Sequence, residues 1–96
     1  MMMLITYDVN TTTPAGRKRL RQVAKQCVNH GLRVQNSVFE CLLEPAAFVK
    51  LKSELEGIID QELDSLRFYH LGSNWKRRVE HVGAKSTFDP EGTIIV

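Results

Sequence analysis

Met3-Leu4-Ile5-Thr6-Tyr7-Asp8-Val9 is a short, almost wholly apolar run that ends in a single carboxylate. A continuous, bulky run closed by a polar, turn-rich segment is the pattern of a buried strand, so a strand is expected over residues 2–9. Asn10-Thr11-Thr12-Thr13 supplies the turn, and Thr13 before Pro14 reads as a helix N-cap with proline at the first helical position. Leu20, Val23, Ala24, Cys27 and Val28 then recur at three- and four-residue steps and give that helix one apolar face. His30-Gly31 ends it, with glycine in the position that follows a helix and histidine favoured there by the helix dipole.

Residues 32–43 are too long and too patterned for one strand and read as two, joined by a tight turn near Asn36-Ser37. Pro45 marks a second helix start, with Phe48, Leu51, Leu55, Ile58, Ile59 and Leu63 as its stripe, and Gly57 weakens its middle. Asp64-Ser65 is a turn before the alternating strand Leu66-Arg67-Phe68-Tyr69-His70-Leu71. The order strand-helix-strand-strand-helix-strand predicts an α+β chain on the ferredoxin-like βαββαβ plan, with right-handed crossovers placing both helices on one sheet face.

Residues 1–72 form this domain. Residues 73–96 are a C-terminal tail of the same domain, carrying the basic knot Lys76-Arg77-Arg78, an apolar stretch over 79–82 and a terminal Ile94-Ile95-Val96. The first strand offers apolar groups on both faces, Leu4 and Thr6 against Met3, Ile5, Tyr7 and Val9. A sheet so built is expected to pack against a second copy, as a homodimer with the tail strand laid on the partner, although aliphatic surface of this size is also ordinary on a single chain.

Ninety-six residues with a formal charge of +2 make one domain with one modest core. Cys27 and Cys41 sit inside apolar patterns and read as buried free thiols of a reducing compartment. No apolar run reaches the ~18 residues of a membrane span, and Met1-Met2-Met3 does not read as a signal peptide, so a cytoplasmic protein with no membrane partner is expected.

Charge placement is more informative than its sum. Between Asp8 and Glu40 there is no acidic residue, while Arg17, Lys18, Arg19, Arg21, Lys25 and Arg33 fall in that interval. Arg17, Arg21 and Lys25 lie at i, i+4 and i+8 with Lys18 beside them, so like charges share one helix flank unless an anion lies over it. Such a stripe attracts phosphates; it also fits a merely solvated face. Lys76, Arg77 and Arg78 beside Trp75 form a second candidate contact, by backbone binding with stacking, although Trp75 also suits a core position.

Asp8 is the sharpest chemical candidate. Mg²⁺ is usually held by one or two carboxylates with several retained waters, and a two-fold axis would pair two copies of Asp8. The competing role is a cap on the Asn10–Thr13 turn. His30, His70 and His81 show no metal-ligand spacing, and Ser37, Ser73, Cys27 and Cys41 have no partner motif for nucleophilic catalysis.

Leu4-Ile5-Thr6-Tyr7-Asp8-Val9, Lys18-Arg19-Leu20-Arg21-Gln22-Val23-Ala24-Lys25 and Gly31-Leu32-Arg33-Val34-Gln35-Asn36-Ser37-Val38-Phe39-Glu40 resemble the CRISPR-associated protein 2 family. So do Asp64-Ser65-Leu66-Arg67-Phe68-Tyr69 and the tail segment Val79-Glu80-His81-Val82-Gly83, which looks like the subtype I-C branch. The stretch from Gln35 to Glu40 is the most specific part; Asn36 stands where the family often has an aromatic residue, leaving no ring to stack there. The resemblance implies a ferredoxin-like homodimer with facing sheets and a Mg²⁺ (or Mn²⁺) site at Asp8 near the dimer axis. It implies a metal-dependent endonuclease acting on single-stranded RNA or duplex DNA, or a non-catalytic adaptor holding a spacer precursor between copies of the CRISPR integrase subunit. A toxin-like ribonuclease and a small-molecule regulatory domain are further uses of such a fold, the latter disfavoured by the basic stripe.

Overall fold

The first strand expected from the continuous apolar run is present. In β1 (Met2–Asp8) the side chains of Met3, Ile5 and Tyr7 are buried, Leu4 and Thr6 are half-buried and Asp8 is exposed. The computed structural model describes residues 1–83 together with the backbone of 87–88 and 94–95. After β1 come α1 (Pro14–His30), β2 (Leu32–Gln35), β3 (Val38–Leu42), α2 (Pro45–Ile58), β4 (Ser65–Gly72) and the single turn α3 (Trp75–Arg78). Two-residue strands β5 (Thr87–Phe88) and β6 (Ile94–Ile95) pair with each other. The remaining tail positions, Val96 among them, lie outside the described residues, and so does the expected path of the tail over a partner.

The long strands make one antiparallel sheet in the order β2-β3-β1-β4, so the apolar β1 is internal. The chain is thus a small α+β fold with a four-stranded antiparallel sheet. Met3, Ile5, Tyr7, Phe39 and Cys41 on the sheet meet Val23 and Cys27 of α1 and Leu51 and Leu55 of α2 in one core. Phe48 of α2 packs edge-on against Phe68 of β4, with ring centroids 5.5 Å apart. Among the described residues no helix is long and apolar enough to cross a membrane.

Local chemistry explains the boundaries. Thr13 caps α1 as expected: its Oγ1 accepts from the Gly16 N–H at 3.1 Å, and Pro14 follows in the first turn. Gly16 is buried because the carbonyl of Asn10 occupies the space a β-carbon would need. Asn36-Ser37 is the turn between β2 and β3.

Several expectations are corrected. Val9 lies beyond the end of β1, and Val28 is exposed, so the apolar face of α1 runs through Leu20, Val23 and Cys27. Gly31 is extended, with φ −163°, and does not close the helix in a left-handed turn. Its glycine serves close approach: a β-carbon there would collide with Cys41 Sγ and the Glu40 carbonyl of β3. The second helix stops at Ile58, because Asp60 starts a turn that takes the N–H groups of Leu63 and Asp64; Leu63 is exposed. Ser65 already belongs to β4.

Candidate nucleic-acid and metal site

Asp8 closes β1, with Ser65 of β4 as its register partner. On the other flank the β3 ladder ends at Thr6, paired with Val38, and only the Tyr7 N–H reaches further, to the Ser37 carbonyl at 3.2 Å. The Asp8 carboxylate is exposed and makes no hydrogen bond or ion pair among the described residues. The turn-capping role falls to Asn10, whose Oδ1 accepts from the Thr12 N–H at 3.0 Å and the Thr12 hydroxyl at 2.7 Å. Asp8 is therefore a hard oxygen donor with no structural duty in its own turn, which suits one position of a largely hydrated Mg²⁺. No group of three or more His, Cys, Asp or Glu side chains able to hold a metal occurs among the described residues, so one chain offers one carboxylate.

A second acid was missed at the sequence level. Asp64 is buried; its Oδ1 accepts from the Asn10 N–H at 2.8 Å, and its Oδ2 from the Asp60 N–H at 2.9 Å and from Arg19 Nε at 2.8 Å. Burial acts to raise its pKa, but the Arg19 guanidinium and the two N–H groups outweigh that and hold it below the usual carboxylate range. One member of the basic run is thereby paired inside the chain. Arg19 is only one residue from Leu20 of the buried face, so its head lies at the helix rim where it can meet the sheet end.

Arg17, Lys18, Arg21 and Lys25 are all exposed on α1, as the spacing predicts. Arg17 Nη1 folds back to the Thr11 carbonyl at 3.2 Å, over the turn that follows Asp8. Arg33 lies on the helix side of the sheet, its Cζ 5.1 Å from the ring centroid of the buried Phe39. The structure does not bring the Lys76-Arg77-Arg78 knot to Asp8. β4 pairs its Ser65 with Asp8 and its Gly72 with Met2, so the knot lies at the far end of β1, six strand steps or about 20 Å away. There Lys76 Nζ sits 5.8 Å from the Trp75 ring centroid, and Arg78 Nη1 donates to the Leu71 carbonyl at 3.1 Å. Arg67, unremarked in the sequence, shares the helix-free face with Asp8 as its diagonal neighbour; it pairs with Thr6, and its Nη1 donates to the Tyr69 hydroxyl at 3.2 Å.

That helix-free face is a groove of about 820 Å³ lined by Leu4, Thr6, Val34, Val38, Glu40 and Tyr69, with residues 78–82 along its rim. Burial pushes the Glu40 carboxyl up, partly offset by His81. Cys27 and Cys41 are buried; burial first, then Cys41, pushes the Cys27 thiol up to about 12 against an opposing pull from Arg33, and burial first, then Glu40, pushes Cys41 up to about 11. Both are thiols, not thiolates, at neutral pH, which removes them as nucleophiles.

Residues 1–79 match the sequence pattern of the family described as CRISPR associated protein Cas2. The CRISPR-associated endoribonuclease Cas2 of Chlorobaculum tepidum is 64% identical over 96 residues, covering 100% of both chains. The CRISPR-associated endonuclease Cas2 of Halalkalibacterium halodurans is 56% identical over 95 residues, covering 99% of each. Among solved structures, Streptococcus pyogenes Cas2 at pH 6.5 superposes with a TM-score of 0.75 at 67% identity, over 86% of this chain and 100% of that one.

Proposed function

The chain belongs to the CRISPR associated protein Cas2 family, and on that premise we propose that it is a metal-dependent endonuclease of CRISPR adaptation, cutting phosphodiester bonds in RNA or DNA in the cytoplasm. Its working form is a ferredoxin-like homodimer whose helix-free sheet faces meet, and the tail segment 79–83 aligns it with the subtype I-C branch. The element order and the strand order β2-β3-β1-β4 support that plan, and the apolar groove of about 820 Å³ supports the facing sheets.

One observation carries the catalytic reading. Asp8 ends the central strand exposed and without a partner among the described residues, while Asn10 caps the turn that Asp8 would otherwise serve. Two such carboxylates across a dimer axis, with retained water, make the donor set that Mg²⁺ or Mn²⁺ accepts. Held there, such an ion would supply polarisation of a phosphate oxygen and a water of lowered pKa. The protein's own share is to fix the carboxylates, to hold the strand by Arg17, Lys18, Arg21 and Lys25 at α1, and to present Arg67 on the same face as Asp8.

The far placement of Lys76, Arg77 and Arg78 favours a second reading, a non-catalytic adaptor along which duplex DNA extends between copies of the CRISPR integrase subunit. Incubating the purified protein with labelled single-stranded RNA and with duplex DNA, with Mg²⁺, Mn²⁺ or a chelator, separates the two. Cleavage that needs the metal is expected; duplex binding without cleavage in any metal would leave the adaptor.

A further inference from the structure

Asp64 is the only buried acid among the described residues, and its carboxylate joins three parts of the chain. It takes the N–H of Asn10, two residues past Asp8; the N–H of Asp60, at the start of the loop before β4; and Arg19 of α1, through Nε at 2.8 Å and Nη2 at 3.4 Å. The next residue, Ser65, is the register partner of Asp8. All these bonds converge on the end of β1 where the β3 ladder has stopped and only β4 still flanks Asp8. A strand end held on one side frays, and a ligand carboxylate must be kept within about 0.5 Å of its working place.

We propose that Asp64 and Arg19 are a positioning pair that fixes Asp8 for its metal ion. Asp64 is wholly shielded from solvent, and the partly exposed Arg19 turns its head to it. They act through the backbone, Asp64 pinning Asn10 beyond Asp8 and Ser65 opposite it, and Arg19 neutralising the buried carboxylate. The role rests on the reading of Asp8 as a metal ligand. It separates Arg19 from its neighbours Arg17, Lys18 and Arg21, whose heads are exposed.

Calorimetric titration of Mn²⁺ into the purified full chain tests this. The set is wild type, Asp64→Asn, Arg19→Gln, Asp8→Asn and the double variant Asp8→Asn/Asp64→Asn, at a temperature where circular dichroism shows each folded. Asp64→Asn and Arg19→Gln are each expected to weaken Mn²⁺ binding about tenfold, the scale of outer-shell support at metal sites. Amide exchange at Val9 and Asn10 should quicken in both. In the Asp8→Asn background, Asp64→Asn should still lower Tm yet change Mn²⁺ binding no further, whereas a purely structural bridge would lower Tm in both backgrounds and leave Mn²⁺ affinity unchanged in both. Should Asp64→Asn fail to fold, Arg19→Gln decides alone. Wild-type Mn²⁺ affinity in the folded variants overturns the positioning role and leaves the Asp8 site standing. Wild-type Mn²⁺ binding by Asp8→Asn removes the metal site itself, and the positioning role with it.

Discussion

Arg19 Nε lies 2.8 Å from Asp64 Oδ2, across 45 residues of chain, with the carboxylate side chain wholly shielded from solvent. The pair closes the sheet end that presents Asp8, and its stability should be readable by pH. Removing the carboxylate in Asp64→Ala leaves Arg19 and two N–H groups unanswered, a loss on the order of 3 kcal/mol and a fall in Tm of roughly 10 °C or more. Because the folded pKa of Asp64 is depressed below 3.8, its contribution is full above that value and is lost as pH falls below it toward the folded value. Thermal melts of wild type and Asp64→Asn should therefore differ most at neutral pH and converge below about pH 4. A gap independent of pH would contradict the assignment.

Gly31→Ala should destabilise the fold even though the backbone there is extended and open to any residue. The new methyl would meet Cys41 Sγ and the Glu40 carbonyl, the latter part of a paired strand that cannot yield. A cost of about 1–3 kcal/mol is expected by denaturant titration. Gly57→Ala, with nothing within 4 Å of the added carbon, should instead be neutral or stabilising.

Much of this architecture was legible in the chain. The cap at Thr13-Pro14, the turn at Asn36-Ser37, the continuous apolar run of β1 and the strand pattern of β4 are local signals, fixed by nearest neighbours, and they appear as read. What was not legible is set by contacts far apart in sequence. Asp64 looked like a turn residue because burial, not residue type, makes it the partner of Arg19. Gly31 carried the mark of a helix end, yet its need for glycine comes from β3. The distance between Asp8 and the Lys76-Arg77-Arg78 knot follows from the antiparallel register of β1 and β4, which composition cannot supply. Arg67 became a site neighbour by the same register.

Duplex DNA affinity should fall steeply with salt. Arg17→Ala with Arg21→Ala should reduce the magnitude of the slope of log K against log salt by roughly 0.9 for each phosphate that the variant no longer neutralises. Arg19→Gln, with its head turned to Asp64, should leave that slope unchanged when the protein is folded. Equal slopes for wild type and the Arg17/Arg21 variant would show a solvated helix face.

Light scattering should give about twice the 10.9 kDa chain at micromolar concentration. Leu4→Glu, which places a charge in the apolar groove beside Glu40 and Tyr69, should shift it to the monomer and remove the paired carboxylates. A wild-type mass of one chain would end the two-fold site.

The most direct test is metal-dependent cleavage by Asp8→Asn. Asparagine keeps the size of the side chain and, since Asn10 holds the turn, disturbs no hydrogen bond among the described residues. It removes the charge that a hard cation requires. With the melting temperature and dimer mass preserved, cleavage in Mg²⁺ or Mn²⁺ should fall about 100-fold or more, a loss of roughly 2.7 kcal/mol or more of transition-state stabilisation. Cleavage at the wild-type rate by a highly purified Asp8→Asn protein would contradict the account.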